Sequence, residues 1–397
     1  MKTHREAGEK RVVILGSTGS IGRNALQVID SFAQRFTVVG LAANRNVELL
    51  AEQVRRYRPR AVSVGGAEGV ADLERLVTGT DVEIFEGEEG LVELATMDEV
   101  DIVVSAVVGA VGLEPVLRAA ERGVRIAIAN KEPLVMAGGI VMETARRSGS
   151  EIVPIDSEHS AVFQCLNGAP ISVVRRIILT ASGGPFYGKS REELRDVTPA
   201  QALAHPTWRM GPKVSVDSAT LMNKGLEIIE AMWLFGVDAG RIDVLIHPQS
   251  TVHSLVEFVD GSIIAQIGAR DMKLPIQYAL TYPERFPTPF ATAKLAEIGA
   301  LTFARAEPGM FPCLDYACEA ARAGGTMPAA LNAANEMAVA AFLGGELSFL
   351  GIPEVIGEVL EGHENVYDPS LDEIKRADGE ARRRAMAAVG SVKERHR

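Results

Sequence analysis

Cysteine is scarce in this sequence. Three cysteines occur in 397 residues, Cys165, Cys313 and Cys318, and no two of them form a CxxC pair. A fold that depends on a disulfide framework needs more cysteines in an oxidising compartment. We therefore expect a cytoplasmic protein whose cysteines are small buried apolar residues.

Long apolar runs and a basic excess are also missing. The longest mainly apolar run, "IVVSAVVGAVGL" at 102–113, is shorter than the roughly 20 residues that span a bilayer. The polar start "MKTHREAGEK" predicts no signal peptide. A net charge of -11 argues against a general nucleic-acid binder, although one basic pocket for a small anion is compatible with it. We expect neither a membrane nor nucleic acid as a partner.

The sequence does contain a regular alternation of apolar runs and amphipathic stretches over residues 11–154. Runs such as "RVVIL", "TVVGLAA", "DIVVSAV" and "VRIAIAN" are separated by helical patterns. This alternation is typical of βα units in a doubly wound parallel sheet. The predicted fold class is α/β, with a doubly wound, Rossmann-like domain at 11–154 after a polar extension at 1–10.

The pattern changes after residue 155. A helix near 159–166, the strand "RRIILTA", one long helix at 218–235 and a hairpin turn at Asp260-Gly261 predict a central α+β domain at 155–281. The proline-rich "YPERFPTPFATAK" predicts a linker, placed at 282–309. The Ala-rich remainder predicts a C-terminal helical domain at 310–397.

A glycine-rich turn lies between the first strand and the first helix. Gly16, Gly19 and Gly22 have the spacing GxxGxxG, and glycines in such a turn let a pyrophosphate approach the helix N-terminus. The residues after the last glycine exclude a Walker A loop. The second strand ends in Arg45 and Asn46 rather than an acidic residue, which favours NADP over NAD. The alternatives are a purely structural turn and a solvated arginine.

Two carboxylates, Asp156 and Glu158, follow an apolar run in "VPIDSEHSA". Residues two apart in an extended chain face the same side, so both carboxylates should converge on one hard divalent cation. Glu227, four residues after Asn223 and three after Lys224 on a predicted helix, is the expected third ligand. The alternative is a helix cap in the first motif and an exposed helix face in the second.

Two further loops suit an anionic ligand. "TASGGPF" predicts a backbone nest at Ser182, directly after a strand. "AHPTWRMGPKVSVDS" contains His205, Trp208, Arg209 and Lys213 and predicts a lid over a ligand. An ordinary turn and a loop with a packed tryptophan are the alternatives.

A third loop, "IAIANKEPLV", places Asn130, Lys131 and Glu132 at the carboxyl end of a strand. Open α/β sheets bind ligands outside those ends. Surface charges without a ligand are the alternative.

A series of motifs resembles those of one protein family, and the motifs follow one another in the same order as in that family. They are "GSTGSIG", "ANKE", "DSEH", "SGGPF", "HP.W.MG.K", "SVDSAT.MNKGLE", "LIHPQS..HS", "DGS..AQ" and "ALNAANE..VAAFL". Together they cover almost the whole chain and are similar to 1-deoxy-D-xylulose 5-phosphate reductoisomerase. That enzyme family isomerises its sugar phosphate by a retro-aldol and an aldol step and reduces the product with NADPH to 2-C-methyl-D-erythritol 4-phosphate, on the route to isoprenoids.

The resemblance implies cofactors, partners and residue roles. It implies NADPH, a divalent metal (Mg²⁺, Mn²⁺ or Co²⁺), a sugar phosphate substrate, and a homodimer formed through the sheet of the central domain. It implies NADPH contacts at Thr18, Gly19, Ser20, Ile21, Arg45, Asn46, Asn130, Glu132 and Gly211. It implies metal ligands at Asp156, Glu158 and Glu227. It implies a catalytic and substrate-binding set of Lys131, Ser157, Glu158, Ser182, His205, Trp208, Ser218, Asn223, Lys224 and Glu227.

Other NADP proteins fit the sequence less well. A short-chain dehydrogenase needs YxxxK, and no tyrosine has lysine four residues later. A semialdehyde dehydrogenase needs a nucleophilic cysteine, and Cys165, the central candidate, has a helical spacing that predicts burial. A non-catalytic NADP sensor would bind cofactor without turnover, yet the proposed metal carboxylates and lid residues are all present.

Overall fold

The computed structural model describes residues 9–208, 210–306, 309 and 311–395. The chain divides into two compact units. The first unit comprises the described residues of Met1–Pro133, Val141–Ser160 and Asp271–Ala291. The second unit comprises the described residues of Leu134–Ile140, Ala161–Arg270 and Thr292–Arg397.

Strands and helices alternate through the first part of the chain, as the sequence predicts. The strands are β1 (Lys10–Leu15), β2 (Phe36–Ala43), β3 (Ala61–Val64), β4 (Glu83–Glu86), β5 (Ile102–Ser105), β6 (Arg125–Ile128) and β7 (Ile152–Pro154). The helices are α1 (Ser20–Ser31), α2 (Val47–Tyr57), α3 (Ala67–Leu76), α4 (Gly87–Thr96), α5 (Leu113–Glu121) and α6 (Glu132–Ser148).

These strands form one parallel sheet in the order β4-β3-β2-β1-β5-β6-β7. The apolar runs are needed because both faces of the sheet are covered, and Val12 to Leu15 of β1 have no exposed surface. The strand order changes direction between β1 and β5. Ligands of doubly wound sheets bind at such a switch point, outside the carboxyl ends of the strands. The predicted α/β fold class is confirmed.

The middle of the chain adds helices and a second sheet. Its elements are α7 (Ser157–Leu166), β8 (Val174–Ala181), α8 (Pro199–Leu203), α9 (Pro212–Ala219), α10 (Met222–Phe235), β9 (Ile242–Ile246), β10 (Val252–Phe258), β11 (Ile263–Ile267) and α11 (Lys273–Thr281). The remaining elements are α12 (Leu295–Ile298), β12 (Ala304–Arg305), α13 (Pro312–Ala323), α14 (Met327–Leu343), α15 (Gly351–Glu361) and α16 (Leu371–Arg395). No described helix combines the length and the apolar character needed to cross a membrane.

The second sheet is mixed and has the order β11-β10-β8-β9-β12. The predicted hairpin is present: β10 and β11 are antiparallel, and Gly261 in the turn has a φ of +85°. The single helix predicted at 218–235 is wrong, because Leu221 adopts a φ of +58° between α9 and α10. A left-handed residue ends the regular hydrogen bonding of a helix.

The C-terminal helices share one apolar core with the second sheet. Ile177 of β8, Ile229 of α10, Phe342 of α14 and Ala385 of α16 all belong to it and are at most 1% exposed. Small residues permit close helix packing, since a Cβ atom on Gly225 would lie 2.3 Å from the side chain of Ala317. The predicted helical domain therefore does not have a separate core.

The start of the predicted linker, as far as Ala291, belongs to the first unit and makes fixed contacts within it. The Arg125 guanidinium donates to the carbonyl oxygen of Tyr282 at 2.7 Å. The Arg35 guanidinium lies 3.9 Å from the ring centre of Phe286. The sequence signal of three prolines indicated irregular backbone, which the structure has, but irregular backbone is compatible with fixed tertiary contacts.

Candidate active site

Two glycines leave no room for a side chain: Gly16 in the turn between β1 and α1, and Gly22 in the first turn of α1. A Cβ atom on Gly16, whose φ is +91°, would lie 2.5 Å from the carbonyl oxygen of Ala106, and one on Gly22 would lie 2.3 Å from the carbonyl oxygen of Gly16. Gly19 precedes α1 without a side-chain cap, and the first turn of α1 has no acidic residue. The helix N-terminus thus offers backbone N–H groups and the positive end of the helix dipole to an anion.

The predicted dinucleotide contacts around this turn lie at its surface. Gly19 and Ser20 are exposed, and Thr18 and Ile21 are half-buried. Arg45 is exposed at the carboxyl end of β2, which pairs in parallel with β1. The structure therefore places the turn and Arg45 on the same edge of the sheet.

Side chains also fix the two neighbouring loops. Asn46 caps α2 by accepting a hydrogen bond of 3.1 Å from the backbone N–H of Leu49. Asn130, only 2% exposed, donates to the carbonyl oxygen of Gly109 at 3.3 Å and to the carboxylate of Glu132. These contacts hold the loop ends after β2 and β6 in defined positions.

Asp156 follows β7 and is held by two cationic or polar neighbours. The Lys131 ammonium lies 2.8 Å from Oδ2 of Asp156, and Nδ1 of His159 lies 3.4 Å from Oδ1. Burial alone would raise the pKa of Asp156, but Lys131 and His159 outweigh it and hold the pKa well below its usual range. Asp156 is therefore an ionised carboxylate at the end of a buried strand.

The predicted extended geometry of Asp156 and Glu158 is wrong. Helix α7 begins at Ser157, and Asp156 occupies the position that caps it, with Oδ1 accepting from the N–H of Glu158 at 3.3 Å and the carbonyl oxygen accepting from the N–H of Ser160 at 2.8 Å. Aspartate favours this capping position because its oxygen satisfies an otherwise unpaired N–H group. Ser157 and Glu158 lie in the first helical turn, where their side chains are hydrogen-bonded to each other.

His159 was missed by reasoning from the sequence. It is completely buried and follows Asp156 by three residues, which places both on one side of a helix but not of a strand. A helical interpretation of "DSEH" would have identified it.

His205 joins the Ser182 loop to the loop that carries Trp208. Its Nδ1 accepts from the backbone N–H groups of Thr207 at 3.2 Å and Trp208 at 2.9 Å. Nδ1 is therefore unprotonated, and Nε2–H donates to Oγ of Ser182 at 3.0 Å. Burial lowers the pKa of His205, which favours this neutral ring. Oγ of Ser182 also accepts from the N–H of Gly184 at 3.2 Å, so its own hydroxyl hydrogen can be donated to a ligand.

The Ser182 loop lies against helix α9. A Cβ atom on Gly184, whose φ is +70°, would lie 2.6 Å from the carbonyl oxygen of Ser218. Only glycine adopts this backbone conformation at so close an approach without strain. The structure therefore brings Ser182, His205 and Ser218 together.

Three predicted residues meet on α10. The amide of Asn223 and the ammonium of Lys224 both contact the carboxylate of Glu227. Lys224 is 3% exposed and Glu227 is 1% exposed. The predicted helical spacing of this group is what the structure shows, whereas the alternative of an exposed helix face is wrong.

A buried carboxylate next to Ser218 was also missed. Asp217 is 1% exposed and accepts from the amide of Asn335 at 2.8 Å, and the Lys213 ammonium lies 3.1 Å from its other oxygen. Gly211 directly precedes this helix, α9. Arg209, named with the lid, lies outside the described residues.

Family models match three consecutive parts of the chain. One described as 1-deoxy-D-xylulose 5-phosphate reductoisomerase matches residues 12–138. One described as the C-terminal domain of that enzyme matches residues 152–235, and one described as a DXP reductoisomerase C-terminal domain matches residues 267–384.

Full-length relatives carry the same description. A 1-deoxy-D-xylulose 5-phosphate reductoisomerase of Pelotomaculum thermopropionicum is 54% identical over 381 residues, 96% of this chain and 98% of that protein. One of Heliobacterium modesticaldum is 52% identical over 97% of this chain and 99% of that protein.

Solved structures agree with this result. The enzyme from Zymomonas mobilis in complex with NADPH has a TM-score of 0.89 and 41% identity, and covers 96% of this chain and 99% of its own. A DOX-P reductoisomerase in complex with NADPH, fosmidomycin and magnesium has a TM-score of 0.93 and 40% identity, and covers 97% of this chain and 99% of its own. The resemblance found in the motifs is confirmed, and the chain belongs to the 1-deoxy-D-xylulose 5-phosphate reductoisomerase family.

Proposed function

We propose that the candidate residues carry out this family's reaction, the NADPH- and metal-dependent conversion of 1-deoxy-D-xylulose 5-phosphate to 2-C-methyl-D-erythritol 4-phosphate. The observation that carries the assignment is Asp156, a carboxylate kept ionised between Lys131 and His159. Solved relatives that contain NADPH and magnesium support both cofactors.

The turn after β1 suits the pyrophosphate of NADPH. Its glycines exclude side chains, the N-terminus of α1 attracts an anion, and the exposed Arg45 suits a 2′-phosphate. When bound, NADPH supplies the hydride for the reduction. The residues proposed to contact it are Thr18, Gly19, Ser20, Ile21, Arg45, Asn46, Asn130, Glu132 and Gly211.

Carboxylate oxygens are the donors that a hard divalent cation prefers, and Asp156, Glu158 and Glu227 are the proposed ligands. Mg²⁺, Mn²⁺ and Co²⁺ all accept such a donor set. When bound, the cation supplies Lewis-acid stabilisation of charge that develops on the substrate oxygens. The chain's own part is to keep these carboxylates charged, which Lys131 does for Asp156.

The substrate phosphate is proposed to bind the cluster on the second unit. Ser182 can donate its hydroxyl hydrogen because its oxygen already accepts two hydrogen bonds. Ser218 and Asn223 add polar groups, and Lys224 adds a buried positive charge. A firm hold on the phosphate keeps the fragments of a carbon–carbon bond cleavage together until they recombine.

Lys131, Ser157 and Trp208 complete the proposed substrate site. The Trp208 ring lies 6.2 Å from the His253 ring, so the loop already has one aromatic contact. A tryptophan on a closing loop would exclude water from the reacting centre.

A homodimer is proposed from the free edge of the second sheet. Val259, Ile263, Ile264 and Ile267 around β11 are between 39% and 64% exposed. An apolar edge strand in water invites pairing with another chain, and a second copy would cover it. A cytoplasmic location is likewise proposed, supported by three free thiols.

The test of the function is NADPH oxidation, followed by absorbance, with 1-deoxy-D-xylulose 5-phosphate as substrate. Oxidation should require Mg²⁺ or Mn²⁺, stop on addition of EDTA and resume with excess metal. Oxidation that continues at full rate in EDTA would contradict the proposed metal requirement. The absence of NADPH oxidation when metal is present would contradict the proposed substrate.

A further inference from the structure

A glutamine in α2, Gln53, makes two hydrogen bonds to Ser17 in the glycine-rich turn, one through each polar atom of its side-chain amide. Oγ of Ser17 donates to Oε1 of Gln53 at 2.6 Å, and Nε2 of Gln53 donates to the carbonyl oxygen of Ser17 at 3.0 Å. Gln53 is 6% exposed and Ser17 is fully buried. Glutamine is mostly an exposed residue, so a buried one with both amide atoms paired requires an explanation.

Both backbone groups of Ser17, its N–H and its carbonyl oxygen, are hydrogen-bonded. Its N–H donates to the carbonyl oxygen of Ala42 at 2.7 Å, and its carbonyl oxygen is held by Gln53. In a trans peptide the C=O and the following N–H point in opposite directions. Holding the Ser17 carbonyl toward the buried Gln53 therefore turns the N–H of Thr18 away from Gln53.

The same helix carries the residues at the end of β2. Asn46 caps α2 and Arg45 precedes it, two helical turns before Gln53. A single rigid element thus joins the turn proposed for the pyrophosphate to the arginine proposed for the 2′-phosphate. Their separation decides whether both anionic groups of one dinucleotide are bound at once.

We propose that Gln53 is a positioning residue for NADPH, which sets the orientation of the Thr18 N–H and the spacing between the glycine-rich turn and Arg45. This inference rests on the proposed function for the identity of the dinucleotide. Gln53 itself is buried and acts only through Ser17.

A second buried glutamine provides a matched control. Gln277 of α11 lies in the same unit, is 7% exposed, and donates from Nε2 to the carbonyl oxygen of Phe286 at 2.9 Å. Replacing either glutamine by methionine keeps the chain length and removes the amide hydrogen bonds. Each variant leaves one backbone carbonyl without its amide donor, that of Ser17 or that of the half-buried Phe286, but only Gln53→Met releases the turn.

The test is a titration of the full-length protein with NADPH, read by nicotinamide fluorescence without substrate, alongside thermal unfolding. Gln53→Met should raise the Kd for NADPH about tenfold, while kcat at saturating NADPH and the KM for the sugar phosphate change less than about twofold. Gln277→Met should also lower the Tm, because it removes a side-chain hydrogen bond in the same unit, and should leave the Kd within about twofold of the original.

Three outcomes would overturn the inference: an unchanged Kd in Gln53→Met, an equal rise in Kd in Gln277→Met, or a fall in kcat at saturating NADPH as large as the change in Kd. If Gln53→Met does not fold, Ser17→Ala takes its place, because it removes one of the two hydrogen bonds and should raise the Kd about threefold. Binding is read without turnover, so a chain that binds NADPH but does not convert the sugar phosphate would refute the proposed reaction and leave the role of Gln53 intact.

Discussion

The amide of Asn335 in α14 donates a hydrogen bond of 2.8 Å to Oδ1 of Asp217 in α9, across 118 positions of sequence. Both side chains are at most 1% exposed. This contact ties the helix that carries Ser218 to the C-terminal helices. Removing the donor would leave Oδ1 of Asp217 buried without its hydrogen bond, which costs the desolvation free energy of that oxygen. Because Ser218 directly follows Asp217 in α9, we expect the Asn335–Asp217 hydrogen bond to control the position of Ser218.

Asn335→Leu keeps the side-chain volume and removes this donor. We expect a loss of about 1–3 kcal/mol in unfolding free energy, and a rise in the KM for the sugar phosphate that is larger than any change in the KM for NADPH. The control is Asn332→Leu on the same helix, since Asn332 is equally buried and contacts Glu336. An equal rise in KM for both variants would show that Asn335 has a general effect on stability only.

Glu227→Gln removes one charge from the proposed metal site without a change in shape. Metal affinity should weaken and turnover should fall by more than about a hundredfold, while NADPH binding persists. Isothermal titration with Mn²⁺ measures the first effect. Glu230→Gln, in the same helix and fully buried, is the control that should retain metal binding. Intact metal affinity in Glu227→Gln would refute its role as a ligand.

Acid should weaken the loop that carries Trp208. Burial lowers the pKa of His205, so the folded chain binds that proton less readily than the unfolded chain, whose histidine titrates at about 6.5. The contribution of neutral His205 to the free energy of unfolding is therefore complete above pH 6.5, the value for the unfolded chain. It declines as the pH falls toward the lowered pKa of the folded chain. Protonation of Nδ1 also breaks the bonds from Thr207 and Trp208.

Limited proteolysis between pH 7.5 and 5.5 measures this opening. His205→Asn removes the titrating group and retains a side-chain acceptor, so its cleavage rate at the loop should lose most of its pH dependence. A loop of the original protein that is cut at the same rate across this range would contradict the argument.

Gly22→Ala should weaken NADPH binding, because the new Cβ would lie 2.3 Å from one backbone oxygen and 2.5 Å from the Cα of Ser17. The turn must shift, at a cost of about 1–3 kcal/mol. Gly390→Ala in α16 has nothing within 4 Å of the new Cβ and should leave NADPH binding unchanged. Fluorescence titration compares the two variants, and equal Kd values would disprove the steric requirement.

Ile264→Lys should separate the proposed dimer. A charge on the free edge strand opposes pairing with a second copy. Ile264 is 47% exposed, and Tyr367, which is 73% exposed elsewhere in the second unit, is the matched site for Tyr367→Lys. Sedimentation velocity should give a monomer for the first variant and a dimer for the second. A dimer in both would place the interface elsewhere.

Periodic features were predictable because a regular element fixes its own spacing. The parallel sheet follows from the alternation of apolar runs with helical patterns, and the hairpin at Gly261 follows from the Asp-Gly turn signal. The group of Asn223, Lys224 and Glu227 follows from helical spacing, and the contacts between them are present.

The failures occur where one local element competes with another. "VPIDSEHSA" was interpreted as extended, but Asp156 caps a helix. In a strand the side chain two positions later, Glu158, would lie on the same side as Asp156. In a helix the side chain three positions later does so, and His159 is therefore the one beside the Asp156 carboxylate. The break at Leu221 was not predictable, because leucine has no preference for a left-handed conformation.

By itself, the sequence determined the α/β class, the glycine-rich turn, the family and the residue types of the site, because these depend on composition, short-range periodicity and motif order. Only the tertiary structure decided that Gln53 holds Ser17, that Asn335 supports Asp217 and that Lys131 keeps Asp156 ionised. Such contacts join residues 25 to 118 positions apart. Each depends on how packed elements bring distant side chains within hydrogen-bonding distance, which no local pattern encodes.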